Sequence, residues 1–160
     1  QAVLPGAVWA DVVFEDVSFA GADLSKNCFV ATEPELSSMQ RMNLAGSCLD
    51  GVNFQGMSMP GSDLSSASMV SAIFNGANLN ESNLSNANAQ QAQFRKANLE
   101  LSNMRGINLM EGSLAKARLS GASLHGANLY SVDFLRSVMG DTDFSACNLE
   151  NTLLKDWRPS

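Results

Sequence analysis

The apolar side chains of this chain recur at every fifth position. Phe14, Phe19, Phe29, Phe54, Phe74, Phe94, Phe134 and Phe144 share one phase, as do Leu24, Leu44, Leu64, Leu84, Leu109 and most other leucines. Met39, Met59, Met69, Met104 and Met139 fill most of the remaining slots, and only Pro34 and Ala89 break the pattern. A period of five fits neither the 3.6 of a helix nor the alternation of a flat strand, so the chain must coil and turn one apolar residue inward at each step. Two positions before each central apolar residue stands a small one, as at Ala22, Ala67, Ala77, Ala97 and Ala127, which implies tight space there. One position before it stands Asn or Asp, as at Asp23, Asn83, Asn103 and Asn128, and the two positions after it are mostly polar and face solvent.

Written out in stretches such as Ala22-Asp23-Leu24-Ser25-Lys26, Ala77-Asn78-Leu79-Asn80-Glu81 and Ala127-Asn128-Leu129-Tyr130-Ser131, the pattern resembles the pentapeptide-repeat family from Trp9 to Leu154. The resemblance implies an all-β fold, a right-handed quadrilateral β-helix (β-solenoid) with four pentads per coil. About seven coils at roughly 4.8 Å each would make a rod on the order of 35 Å long. A vertical period of twenty has independent support: Phe14, Phe54, Phe74, Phe94 and Phe134 would form an aromatic column, completed by Leu114 and Leu154. A second column would contain Trp9, Phe29, Leu49, Met69, Ala89, Leu109, Leu129 and Leu149, with a void or a pinched coil at Ala89. Asn88, Asn108, Asn128 and Asn148 fall in one line and should pass amide hydrogen bonds from coil to coil.

The expected organisation is a lead-in over 1–8, the β-helix over 9–154 and a cap or tail over 155–160. An irregular pentad near 31–36 places Pro34 at a centre, where its fixed φ and missing N–H suit a ladder poorly. Phase returns at Met39 without a net shift, which predicts a bulge and no long inserted loop. Leu153-Leu154-Lys155-Asp156-Trp157 is suited to cover the far end of the core, since an uncapped solenoid end invites association. The near end, with Val3, Leu4, Val8 and Trp9, is less protected. Beginning at Gln1 and in phase by Leu4, the chain reads as a segment of a longer or processed protein.

The net charge of −6 argues against a general nucleic-acid or anionic-membrane binder, both of which need a basic field. No apolar run is long enough to span a bilayer. Three cysteines do not make a disulfide framework. Cys28 and Cys48, twenty residues apart, are spaced as stacked neighbours, and free thiols in a reducing compartment are the favoured reading. A reducing cytoplasm fits best, with export as part of an effector the other option.

Chemistry is sparse. His125, the single histidine, has no second histidine for a metal site or relay, and no Gly-rich phosphate loop or zinc spacing is present. No enzyme activity, cofactor or metal is expected. The outward positions are more informative. Arg95, Lys96, Lys116, Arg136 and Lys155 follow the Phe column on one face and form a basic ridge, where stacked like charges repel one another even in water. On the adjoining face Val30, Val70, Met110 and Tyr130 point outward, and Met110 with Tyr130 beside a basic ridge has the composition of a partner site. The candidate interaction face is therefore Arg95, Lys96, Met110, Lys116, Tyr130, Arg136 and Lys155. Glu81, Glu100 and Asp141 gather across the Phe corner, predicting an electrostatically two-sided molecule.

Two functions are weighed. In the first the chain is a non-enzymatic structural or protein-interaction module that presents a flat face to a protein partner or a neighbouring domain. Family resemblance implies settings such as domains of larger bacterial proteins, including effectors and secretion-associated components. In the second, implied by the best-understood branch of the family, it imitates duplex DNA and binds DNA gyrase or topoisomerase IV, conferring fluoroquinolone resistance. The basic ridge and the short Trp157-Arg158-Pro159-Ser160 tail depart from that branch. Direct nucleic-acid binding and membrane insertion are not expected, and a dimer formed by stacking coil ends is left open.

Overall fold

Each pentad turns the chain through one corner of a square. At Leu44–Ser47 the Ser47 N–H donates to the Leu44 C=O at 3.1 Å, closing a four-residue turn. Gly46, third in that turn, has φ +63°. A left-handed residue at that place is what a type II turn requires. The same requirement recurs at corner after corner, and it is met by non-glycine residues at Lys96, Leu101, Lys116 and Arg136, with φ of 59°, 58°, 60° and 58°.

The computed structural model describes residues 4–30 and 38–154. The coils stack as parallel rungs. Strand β1 (Val8–Ala10) pairs with β3 (Cys28–Val30), and β2 (Val13–Glu15) pairs with β4 (Ser38–Gln40). Above them each contact shortens to a single parallel bridge per pentad, continuing to Asn128 opposite Asn148. Every bridge works the same way: Leu44 N–H donates to Asp63 C=O at 2.7 Å and Asp63 N–H to Met42 C=O at 2.8 Å. The chain is a right-handed quadrilateral β-helix.

Inside, the central residues form four columns. Met39, Leu44, Leu49, Phe54, Leu79 and Leu99 have no exposed surface. The small position two residues earlier is buried as well, with Ala72, Ala77, Ala92 and Ala97 at 0%. Buried serines there are satisfied by the coil: the Ser62 hydroxyl donates to Met39 C=O at 3.2 Å and accepts the Met42 N–H at 3.2 Å.

The first coil overturns the predicted columns. Trp9 lies opposite Phe29, twenty residues on, but Phe14 lies opposite Met39, twenty-five residues on. The larger offset persists through Ser18–Asn43, Asp23–Cys48 and Cys28–Asn53 before twenty is restored at Asn43–Asp63. One extra pentad has been spent between β3 and β4. Such an insertion leaves the fivefold phase intact, as expected, while rotating everything before it by one wall, so the expected twenty-residue columns fail across the first coil. The aromatic column therefore does not begin at Phe14. It runs from Trp9 to Phe29 (centroids 5.8 Å apart), Phe54 (4.5 Å), Phe74 (5.3 Å) and Phe94 (4.9 Å), stacked at interplanar angles of 8°, 21°, 30° and 4°.

Three smaller expectations change with it. Cys28 bridges Asn53 whereas Cys48 bridges Asp23 and Ser68, so the two thiols occupy different walls and both are free. Val30 pairs with Ala10 and leaves the line of Val70, Met110 and Tyr130. Around Ala89 the rungs keep their length, with Met69 N–H to Asn88 C=O and Ala89 N–H to Asn108 C=O both at 2.7 Å, so that coil is not pinched.

At the near end Trp9, Phe14 and Phe19 meet edge to face and are only partly buried, and Val8 and Val13 are exposed. At the far end Leu154 packs into the core at 8% exposure, but Leu153, expected to help cover it, is 81% exposed. The irregular pentad at 31–36 and the tail from Lys155 lie outside the described residues.

Candidate functional site

The predicted basic residues do converge. Lys96 N–H donates to Ala115 C=O at 2.9 Å and Lys116 N–H to Leu135 C=O at 2.8 Å, which sets Lys96, Lys116 and Arg136 one above another on a single corner. All three are exposed, and their near-identical left-handed φ angles send the side chains off the corner in parallel. Arg95 shares the corner but leans across the aromatic wall to Asp133, at 3.8 Å. Below them Gln55, Gly56, Asn75, Gly76, Arg95 and Lys96 line an open groove of about 380 Å³. Lys155 is outside the described residues.

Met110 and Tyr130 stand on the preceding corner, separated from the cations by the aromatic wall. Met110 is half-buried and Tyr130 is 38% exposed. The two halves of the candidate face thus flank one wall, whose outward residues are Asn53, Ile73, Gln93, Ser113 and Asp133. The acids do not sit on an opposite side. Glu81, Glu100 and Asp141 occupy the next corner along, and Arg118, on the wall between, grips Glu100 through Nη2 at 2.8 Å to each carboxylate oxygen.

Pairing separates the cations into two groups. Arg41 holds Asp16 at 2.8 Å and Glu15 at 3.2 Å, while Arg95 and Arg118 have Asp133 and Glu100. The Arg41 hydrogen bond holds the Asp16 carboxyl below its ordinary value. Lys96, Lys116 and Arg136 have no ion pair among the described residues. They keep apolar company: Leu135, 51% exposed, adjoins Arg136, and Val138, 53% exposed and not singled out from the sequence, lies two residues further on above Arg118.

His125 belongs to a different corner, over Arg105 and below Ser145. Its Nδ1 lies 2.8 Å from Ser145 Oγ, and that hydroxyl donates to Asp143 Oδ1 at 2.6 Å. The Ser145 hydroxyl and then its N–H hold the Asp143 carboxyl below the ordinary range. A histidine poised as a base would need to accept the serine proton, but here the carboxylate takes it. Among the described residues no group of three or more His, Cys, Asp and Glu is placed to hold a metal ion, and no helix is long and apolar enough to cross a membrane.

The asparagine line is structural. Asn108 Nδ2 donates to Asn88 Oδ1 at 3.3 Å, Asn128 to Asn108 at 3.0 Å and Asn148 to Asn128 at 3.1 Å. A second line, not anticipated, runs Asp63–Asn83–Asn103 at 3.2 and 3.1 Å.

The family model for pentapeptide repeats matches in eight copies, over residues 37–76, 47–86, 72–109 and 117–156. The chain belongs to the pentapeptide-repeat family. Such proteins are in general structural and interaction modules without enzymatic activity. Among solved structures this pentapeptide-repeat chain is similar to trypsin-treated QnrB1, a plasmid-mediated fluoroquinolone resistance protein, at 15% identity over 94% of this chain and 73% of that one, with a TM-score of 0.44. A pentapeptide-repeat protein, Rfr23, from the cyanobacterium Cyanothece 51142 matches at 20% identity over 94% and 86%, TM-score 0.38. One from the Arabidopsis thaliana thylakoid lumen matches at 21% over 74% and 68%, TM-score 0.27. Similarity at this level carries no functional argument. No curated protein sequence matches the chain.

Proposed function

We propose that this chain is a non-enzymatic protein-interaction module whose working surface is the aromatic wall and the two corners that flank it. One observation carries the reading: three cations without an ion pair among the described residues are stacked on one corner, whereas Arg41, Arg95 and Arg118 are paired and the other unpaired cations, Lys26 and Arg105, stand singly. The face consists of Arg95, Lys96, Lys116 and Arg136 on one corner and Met110 and Tyr130 on the other, with Lys155 beyond the described residues. It suits a protein partner or a neighbouring domain of the same chain.

The DNA-mimic reading receives no comparable support. A continuous acidic stripe would be its mark, yet on the corner richest in acids Arg41 and the Pro60–Gly61 step interrupt the series between Glu15–Asp16 and Glu81. The test is a pull-down of the purified chain from lysate beside Lys116→Glu/Arg136→Glu, with gyrase subunits probed in the captured fraction. Loss of a captured protein on reversal supports the module and places its face. Capture of gyrase insensitive to the reversal would replace this reading with DNA mimicry.

A further inference from the structure

We infer that the Lys96–Lys116–Arg136 corner docks an extended acidic segment of a protein partner that also carries apolar side chains. The inference rests on the interaction-module reading and names the chemistry of its partner. The three cations are stacked through adjacent rungs, so they span two rung spacings, roughly 9.6 Å along the rod. An extended peptide covers that distance in about three residues and presents side chains of one face every ~6.6 Å, so two carboxylates at i and i+2 fall within reach of the three flexible cations. No carboxylate of the described chain pairs with them, whereas nearby Asp133 and Glu100 are already engaged by Arg95 and Arg118. The described residues therefore supply no acceptor for them, and a partner's carboxylates would.

Two features favour a peptide over a nucleic-acid backbone. Leu135 and Val138 are both more than half exposed at the upper end of the strip and offer contact to apolar side chains, which a phosphate backbone lacks. Moreover, the net charge of −6 repels a long polyanion beyond the strip, whereas a short acidic segment meets only the local cations. Lys96, Lys116 and Arg136 also leave the backbone at φ near +60°, so the base of each side chain is fixed before a partner arrives.

The experiment measures binding of a fluorescent peptide of repeated Glu-Glu-Leu to the whole chain by anisotropy at two salt concentrations. A Gln-Gln-Leu peptide, an all-Glu peptide and single-stranded oligothymidine serve as comparisons. Expected are saturable binding of Glu-Glu-Leu that weakens with salt, at least a tenfold loss in Lys116→Glu/Arg136→Glu, and a smaller loss in Val138→Ser. The control is Lys26→Glu/Arg105→Glu, which changes net charge equally at exposed positions away from this corner and should bind as wild type. Circular dichroism melts confirm that all variants fold. Equal loss in the control, or equal binding of all-Glu peptide or oligothymidine, would overturn the inference in favour of general charge attraction. Absence of peptide binding would also overturn it. If the pull-down still captures a partner in either case, the module reading stands and only the docking chemistry falls.

Discussion

Leu101 is 61% exposed on a backbone with φ 58°, a conformation that costs a non-glycine residue roughly 1–2 kcal/mol. Leu101→Gly should therefore stabilise the protein by about 0.5–1 kcal/mol after the greater freedom of the unfolded chain is subtracted, which for this length raises Tm by a few degrees. A lower Tm would show that its contact beside Gly121 outweighs the strain. The left-handed corner was legible in the sequence, because nine glycines with φ between +63° and +71° or so, from Gly21 to Gly126, share one phase. It went unread because polarity alone had explained that position. The central position was read correctly from periodicity: Leu109 is fully buried. Leu109→Asp should cost several kcal/mol, since a carboxylate there has no partner. A thermal transition as high as that of the parent would show that the position tolerates water.

At the level of the elements, backbone hydrogen bonds from coil to coil, as from Leu44 to Asp63 and from Gly46 to Ser65, are supplemented by side-chain ladders. Asn128 donates to Asn108, accepts from Asn148 and also accepts the Tyr130 N–H at 3.3 Å. Asn128→Ala should lose about 1–3 kcal/mol in urea unfolding, whereas the same change at Asn75, whose side chain accepts the Arg95 N–H at 2.9 Å and joins no ladder, should cost less. Equal losses would reduce the ladder to independent local turns. This ladder was visible as a twenty-residue spacing of asparagines within the regular coils. The aromatic column was visible only in part, because Phe54, Phe74 and Phe94 follow the same spacing whereas Trp9 and Phe29 enter one wall earlier.

For the whole molecule, charge couples stability to pH in one direction. Asp16 is held below its ordinary value of 3.8 mainly by Arg41, Asp23 mainly by Ser25, and Asp143 mainly by Ser145. Depressed carboxylates contribute stability that is fully present above the unfolded value of 3.8 and lost as pH falls through their lower folded values. Tm should accordingly show no loss from these groups between neutral pH and about 4 and should drop below that. Asp143→Asn should lower Tm at neutral pH and converge with wild type in strong acid, and a constant difference would assign the loss to geometry instead of charge. The sequence by itself determined the coil, the inward phase and the family, because a fivefold repeat leaves an apolar residue one way to stay dry. Only the tertiary structure decided which residues share a wall. An extra pentad before β4 leaves the phase unchanged but turns the first coil by a quarter, so register had to be read from the rungs that pair Phe14 with Met39. The basic corner lies wholly above that insertion, which is why its stacking could be counted from the sequence. Its lack of ion pairs among the described residues could not, because Arg95 and Arg118 find their carboxylates across walls, at distances set by the coil.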